Sequence, residues 1–208
     1  MPIFNSFELD KNTSLYIWSI KESLEDLEKE VSLSIFDKKK LESIKLLERK
    51  KEFLASRNLL NFSKLKNKAI TYNINGAPKL DNGKFISITH CKNFAGIAIS
   101  ENKIGFDLEN YRNKIYKIAN KFINNDKKFI YEFDSTIKGL TLLWTAKEAI
   151  YKAFSAKGIS FKNNIIISPF KKEQKKGNAR VYINKKETQF SLNFIIEKNF
   201  CGTIAYID

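Results

Sequence analysis

The clearest hydrophobic periodicity in the chain lies at Trp144–Gly158, WTAKEAIYKAFSAKG. Its apolar residues recur at the three- and four-residue spacing of an amphipathic helix, and Gly158 stands where a C-terminal cap belongs. On this helix Glu148 and Lys152 are one turn apart, roughly 6 Å from each other on one face. They could act on one ligand, but an ordinary surface ion pair has the same pattern.

The first half of the chain alternates between strand and helix patterns. Ser14–Ile20 predicts an opening strand and Glu22–Val31 a short helix. One or two helices are expected from Asp37 to about Lys66. Several turn signals, including Asn75-Gly76, then break the pattern at Tyr72–Gly83.

Three short strands with tight connections follow, and their pattern predicts a meander within one sheet: Phe85–His90, Ala95–Ser100 and Lys103–Glu109. Helical character resumes at Lys114–Phe133 and continues through the Trp144 helix. The last third predicts four more strands and one exposed loop: Asn164–Ser168, Ala179–Asn184, Gln189–Glu197 and Gly202–Ile207, with the loop at Lys171–Asn178.

Two motifs occur twice in the same order. KNFAG at Lys92–Gly96 returns as KNFCG at Lys198–Gly202, and LL-x4-E at Leu46–Glu52 returns at Leu142–Glu148. We therefore expect an α+β fold with a pseudo-twofold duplication of two similar halves, residues 1–102 and 103–208.

The stretch GFDLEN places two acids at strand spacing. Asp107 and Glu109 should project from one face of the strand, roughly 6.6 Å apart, while Phe106 and Leu108 point into a core. Two such carboxylates repel each other unless a cation lies between them, and Mg²⁺ prefers carboxylate oxygens. Glu148 could complete a set of three, although a solvated strand end would look the same in sequence.

His90 ends the predicted ITH strand and is the one histidine of the chain. A meander would bring it into the same sheet as Asp107, within reach of one ligand. A lone histidine is more often structural than catalytic, so the residue by itself decides nothing.

Composition narrows the class of protein. The chain has 208 residues, of which 43% are hydrophobic, and a net charge of +14. It can bury a sizeable core, and its charge favours an acidic partner such as nucleic acid, anionic lipid, a phosphorylated small molecule or an acidic protein. Two cysteines make no disulfide framework, and no signal segment or spanning apolar run is visible, so we expect a cytoplasmic protein.

Four stretches, taken in order, resemble the Sfp-type 4′-phosphopantetheinyl transferases: NGAP at Asn75–Pro78, FISITH at Phe85–His90, GFDLE at Gly105–Glu109 and WTAKEAIYKA at Trp144–Ala153. The last two are specific in this order, whereas the first two are weak alone. The resemblance implies two similar α+β halves with the active site between them. It also implies transfer of phosphopantetheine from coenzyme A to a serine of an acyl, peptidyl or aryl carrier protein, with Mg²⁺ required and adenosine 3′,5′-bisphosphate released.

The resemblance also assigns roles to residues. Asp107, Glu109 and Glu148 would ligate Mg²⁺, Thr89 and His90 would touch the coenzyme A phosphates, and Lys152 would meet the pyrophosphate. Glu148 and Lys152 are the expected catalytic pair. The stretch RKKEFLASR resembles the family's helix that binds the 3′-phosphate, with Lys51 as the closest match and Arg49 and Arg57 as further candidates.

Some positions depart from the family pattern. Ala77 replaces a lysine of the Gly-Lys-Pro turn, and Thr89 replaces a serine but keeps the hydroxyl. Lys121 and Ile123 replace an arginine and an aromatic residue in a helix that helps to dock the carrier. The choice of carrier is therefore an open question at this stage.

Two other functions fit parts of the sequence. A basic nucleic-acid-binding α+β module would explain the charge, but it gives no reason for Asp107, Glu109 and Glu148. A non-catalytic relative that binds coenzyme A or a carrier is less attractive, because Glu148 and Lys152 are both present. We therefore expect an active transferase and do not expect nucleic acid as a partner. Because one chain contains both halves, we expect it to work as a monomer.

Overall fold

A computed structural model describes residues 3–10, 12–63, 70–74, 76–124, 126, 135–155, 158–169 and 175–208, without the side chains of residues 3–5, 7 and 10. The chain divides into two compact units, Met1–Glu101 and Asn102–Asp208.

The first unit is built on a four-stranded antiparallel sheet of order β1-β2-β6-β5. Its strands are β1 (Ile3–Asp10), β2 (Thr13–Ser19), β5 (Phe85–Cys91) and β6 (Phe94–Ser100), and a separate two-stranded hairpin pairs β3 (Ile70–Tyr72) with β4 (Pro78–Leu80). Three helices connect β2 to β3: α1 (Leu24–Glu30), α2 (Ile35–Ser43) and α3 (Leu47–Phe62).

The helices of this unit begin at serine caps and pack through their apolar residues. Ser23 and Ser34 cap α1 and α2, each accepting a hydrogen bond from the backbone N–H three residues on. The apolar residues of α3 pack against β6 and β2. They close a core in which Trp18, Leu54 and Leu59 are fully buried.

The second unit has a five-stranded antiparallel sheet of order β7-β11-β10-β9-β8. Its strands are β7 (Ile104–Asn110), β8 (Ile165–Ile167), β9 (Lys176–Ile183), β10 (Lys186–Ile196) and β11 (Phe200–Ile207). Its helices are α4 (Ile115–Ile118), a 3-10 turn (Ala119–Lys121) and the long α5 (Thr136–Phe154), which packs on β7 and β11.

The two units share a topology. In each, one strand leads into helices, and a later hairpin returns so that its last strand pairs antiparallel with the first: β2 with β6, and β7 with β11. The repeated KNFAG and KNFCG segments lie at the turns of these two hairpins, β5–β6 and β10–β11. The predicted α+β class is confirmed, and the repeat of motifs coincides with a repeat of topology.

Two predictions about connections were wrong. The strands β5, β6 and β7 do not form a meander, because β2 occupies the free edge of β6 and β7 pairs with β11 in the other sheet. Gly158 does not cap the long helix. That helix ends at Phe154, and Ser155 takes the left-handed conformation with φ 53° while its hydroxyl donates to the carbonyl of Lys152.

Other differences concern element boundaries. The strand β1 and the hairpin β3–β4 were not predicted, and the long helix begins eight residues before Trp144. Of the predicted loop at Lys171–Asn178, residues 171–174 lie outside the described residues and Lys176–Asn178 belong to β9. The predicted helix at Lys114–Phe133 is α4 and the 3-10 turn as far as it can be described.

The two cysteines, Cys91 and Cys201, are both buried. No helix within the described ranges is long and apolar enough to cross a membrane.

Candidate active site

The strand β7 and the helix α5 meet closely at Gly105. A Cβ atom built on Gly105 would lie 1.8 Å from the carbonyl oxygen of Ala149 and 2.7 Å from the nitrogen of Ala153. Since side chains alternate along a strand, Asp107 and Glu109 share the face on which Gly105 admits the helix. The absent side chain thus brings the acidic strand up to the helix that carries Glu148 and Lys152.

Lys152 joins the helix to the acidic strand. Its Nζ atom lies 2.7 Å from Oδ1 of Asp107 and donates to the carbonyl oxygen of Phe106 at 2.9 Å. The side chain of Asp107 is 11% exposed and that of Lys152 is 29% exposed, so the pair is partly shielded from solvent. Glu148, one helical turn before Lys152, belongs to the same cluster.

The carboxylates of the cluster influence one another's protonation. Burial raises the pKa of Glu148 to about 7, the negative charges of Asp107 and Glu109 add to the increase, and Lys152 opposes it. Burial also raises the pKa of Glu109, again helped by the charge of Asp107. The three acids predicted to converge are therefore electrostatic neighbours, with one ammonium among them.

The cluster contains the carboxylate ligands of a magnesium site, but their side chains are not arranged to coordinate an ion. In the described part of the chain, no group of three His, Cys, Asp or Glu side chains is arranged to hold a metal ion. The residues present nevertheless fit Mg²⁺, because it takes carboxylate oxygens. A divalent cation would also relieve the repulsion that raises the pKa of Glu148.

A cavity of about 600 Å³ opens beside Glu109. Arg112 stands at its edge and binds Glu109 with an N···O distance of 2.9 Å. The rest of the lining combines apolar side chains with lysines: Lys114, Ile115, Ile118, Lys121, Thr141, Trp144 and Phe161, together with Asn110 and Ser160. A cavity of this volume can take a small-molecule ligand, and its lining offers both apolar and cationic contacts.

In the first unit, the predicted phosphate ligands surround a buried acid. Nη1 of Arg49 lies 2.9 Å from Oε2 of Glu52 and 2.6 Å from Nδ1 of His90. Oε2 of Glu52 is 3.1 Å from the same ring nitrogen, so these three side chains form one cluster between α3 and the end of β5. Arg49 and His90 are half-exposed, at 53% and 42%, which leaves this cluster accessible to an anion.

The other predicted phosphate ligands differ in exposure. Lys51 is half-buried on α3, and Thr89 is buried in β5. Arg57 is also buried: its guanidinium donates to Asp37 Oδ1 at 2.9 Å, to Ser56 Oγ at 3.0 Å and to Tyr72 Oη at 2.9 Å. The expectation of a phosphate contact at Arg57 finds no support in this geometry, because these bonds tie the side chain into the packing of its own unit.

The sequence did not indicate the contacts of three charged residues, of which Glu52 and Arg112 belong to these clusters and Lys147 lies outside them. Glu52 was noticed only as part of a repeat, although its position one turn from Arg49 could have indicated an ion pair. Arg112 lies three residues after Glu109. At the end of a strand this spacing does not indicate an ion pair. Lys147 has no exposed surface, and nothing in its local pattern separates it from the surface lysines of a lysine-rich chain.

Residues 103–205, almost the whole second unit, match the family described as the 4′-phosphopantetheinyl transferase superfamily. This unit is therefore similar to that superfamily. The matched region contains Asp107, Glu109, Glu148 and Lys152. Similarity to a transferase superfamily accounts for these residues, whereas a nucleic-acid-binding module does not.

Curated proteins give a second, shorter match. The chain is 35% identical over 82 residues to enterobactin synthase component D of Salmonella typhi, a region that covers 38% of this chain and 35% of that protein. The protein of the same name from Salmonella typhimurium matches with the same identity and coverage. The chain thus spans about a third of the length of the relatives that it matches.

Proposed function

We propose that the protein transfers 4′-phosphopantetheine from coenzyme A to a serine of a carrier protein, releasing adenosine 3′,5′-bisphosphate. The observation that supports this most strongly is the cluster of Asp107, Glu109, Glu148 and Lys152 inside the region that matches the superfamily. The name of the Salmonella relatives, a component of a synthase, agrees with a role in modifying a biosynthetic protein.

Asp107, Glu109 and Glu148 would hold Mg²⁺ in this proposal. The ion, when bound, would mask the negative charge of the coenzyme A pyrophosphate. Lys152 would contribute in the same region. Its ammonium, which contacts Asp107 and the carbonyl of Phe106, would donate to an oxygen of the departing phosphate.

Glu148 is the proposed general base. Serine is a poor nucleophile at neutral pH, so its hydroxyl proton must be taken as the oxygen attacks phosphorus, an effect typically worth about 10² to 10⁴ in rate. Glu148 would take this proton directly or through a water molecule, since its carboxylate belongs to the same cluster as Asp107 and Lys152. The new bond joins the serine oxygen to the phosphopantetheine phosphorus, the bond to the bridging oxygen breaks, and the nucleotide leaves.

The first unit would contribute to binding coenzyme A. Arg49 and His90 present accessible nitrogen donors in one cluster. Lys51 and Thr89 follow in sequence on the same helix and strand, but successive positions project from other faces, so their phosphate contacts stay predictions. A phosphate on Arg49 and His90 would replace contacts that they now make with each other and with Glu52. That one coenzyme A molecule engages residues of both units stays a prediction.

The partner would be an acidic carrier protein. A net charge of +14 accelerates encounter with a negatively charged partner, and the lysines around the cavity give that field a local focus. Cytoplasmic location and a monomeric state remain predictions from the sequence.

The deciding experiment incubates an apo carrier protein with coenzyme A, Mg²⁺ and the enzyme, and weighs the carrier by mass spectrometry. We expect a mass increase equal to one phosphopantetheine group, lost in a Glu148→Gln variant whose circular dichroism is unchanged. Glu187→Gln, an exposed position on β10, is the matched control and should transfer normally. Full activity of Glu148→Gln would refute its role as base, and an unmodified carrier with the wild-type enzyme across several apo carriers would refute the function.

A further inference from the structure

Lys147 is a fully buried lysine that the proposed reaction does not use. It precedes Glu148 on α5, and its side chain is 0% exposed. Its Nζ atom pairs at 2.5 Å with the carboxylate of Asp126, which is buried to the same degree. Removing both charges from water is costly, and a hydrophobic pair of similar size is often at least as stable.

The other contacts of Lys147 are to the backbone. Nζ donates to the carbonyl oxygens of Phe122 at 2.7 Å, Phe161 at 2.8 Å and Ile165 at 2.9 Å. These residues belong to the end of the 3-10 turn, the segment after α5 and the first position of β8. An ammonium has three N–H donors, so Lys147 uses all of them to join three segments to the long helix.

The joined segments carry one wall of the cavity. Phe161 lines the cavity directly, and Lys121, which also lines it, is the neighbour of Phe122. The rings of Phe122 and Phe161 both pack against Trp144. Their centroids lie 5.2 Å and 5.4 Å from the centroid of the Trp144 ring. Trp144 itself lines the cavity one turn before Glu148.

We infer that Lys147 is a positioning residue that holds the Phe122–Trp144–Phe161 wall of the cavity in place beside the acidic cluster. The buried ammonium binds the backbone carbonyls of Phe122 and Phe161, and the packing of their rings then fixes Trp144. Only the kinetic part of the test rests on the proposed transfer reaction.

Lys147→Met removes the hydrogen bonds and keeps most of the volume. We expect Trp144 to become more accessible to acrylamide, measured as fluorescence quenching. The second tryptophan, Trp18, is fully buried and adds a nearly constant background. In the transfer assay kcat/KM should fall by up to about 10²-fold, mainly through KM, as for other small misplacements of a binding wall.

Two further variants separate positioning from charge compensation. Asp126→Asn keeps a hydrogen-bond acceptor and leaves the three hydrogen bonds from Lys147 to backbone carbonyls. The acrylamide quenching of Trp144 and the KM of this variant should therefore stay near those of the wild type. Lys147→Met with Asp126→Leu removes the unpaired buried carboxylate and should recover stability. If Lys147 positions the wall, this double variant keeps the raised quenching and the raised KM.

Wild-type quenching and KM in the double variant would overturn the inference, because Lys147 would then serve only to neutralise Asp126. The double variant also decides the matter if Lys147→Met alone does not fold. Should the wild-type enzyme transfer nothing, the proposed function fails, but the quenching of the variants still tests the role of Lys147.

Discussion

The Nζ atom of Lys152 lies 2.7 Å from Oδ1 of Asp107, so the helix α5 and the strand β7 are joined by a direct ion pair. The same ammonium lowers the pKa of Glu148, against the increase caused by burial and by Asp107 and Glu109. One cation therefore balances part of the negative charge of three acids. In the proposed reaction this charge is also available to the leaving phosphate.

Lys152→Met should reduce transfer by about 10² to 10³, the usual cost of losing one donor to a developing negative charge. Coenzyme A binding should weaken less than the rate, because the contact strengthens as the nucleotide departs. Initial rates and equilibrium dialysis of coenzyme A measure the two effects. Lys162→Met, an exposed lysine after α5, is the control and should leave both unchanged. A variant at Lys152 with normal kcat would remove the residue from the mechanism.

Gly105→Ala should destabilise the second unit, because the new methyl group would collide with the backbone of α5 at Ala149. Overpacking of this kind typically costs about 1 to 3 kcal/mol. Urea denaturation measures the loss, and transfer should fall in the folded fraction because Asp107 moves relative to Glu148.

The source of this collision can be tested with a second substitution. Ala149→Gly removes only the side chain, and the collision is with the carbonyl oxygen, so Gly105→Ala should not be rescued by it. The double variant should be less stable than Gly105→Ala, since glycine in a helix costs about 1 kcal/mol. Recovery of stability in the double variant would show that side-chain packing, rather than backbone approach, sets the distance.

Each half of the acidic cluster has a local signature in the sequence, whereas the meeting of Asp107 with Lys152, 45 residues apart, was expected only from the family resemblance. Alternation in GFDLEN fixes which acids share a face of the strand, and helical spacing fixes Glu148 beside Lys152. The repeated segments around Lys92–Gly96 and Lys198–Gly202 likewise indicate two related hairpins before any coordinates are known.

The parts that could not be predicted depend on contacts distant in sequence. The partner of β7 is β11, about a hundred residues later, and short connections between β5, β6 and β7 wrongly suggested a meander. The sequence made Arg57 a candidate phosphate ligand, and only the structure shows that its buried guanidinium binds Asp37 and Tyr72. Charge in a lysine-rich sequence carries no information about burial, and only tertiary packing separates Arg57 from Arg49.

The stability of the first unit should depend on pH through Glu52. Burial raises the pKa of Glu52 above its usual 4.5, although Arg49 opposes the shift. The folded protein then keeps this proton to a higher pH than the unfolded chain does. As pH rises above 4.5, the unfolded chain releases this proton before the folded protein does. Glu52 therefore lowers the free energy of unfolding over that pH range.

Glu52→Gln should lack this loss. Urea denaturation from about pH 4 to about pH 8 should show that the free energy of unfolding of the variant, relative to the wild type, increases with pH. Glu42→Gln, which replaces an exposed carboxylate on α2, should show no such trend. A relative stability of Glu52→Gln that decreased with pH would mean that the ion pair with Arg49 outweighs burial.

Arg57 and Arg49 provide a paired test of which basic residues bind coenzyme A. Arg57→Met leaves the carboxylate of Asp37 buried without its partner, and breaking such a pair typically costs about 3 to 5 kcal/mol. The folded variant should still bind coenzyme A with normal affinity, because the guanidinium of Arg57 in the wild-type protein faces the interior of its own unit.

Arg49→Met removes a guanidinium that is 53% exposed, so its stability should fall less than that of Arg57→Met while its affinity for coenzyme A falls. Urea denaturation and isothermal titration with coenzyme A measure both quantities, and weakened binding in Arg57→Met without loss of stability would restore Arg57 as a phosphate ligand.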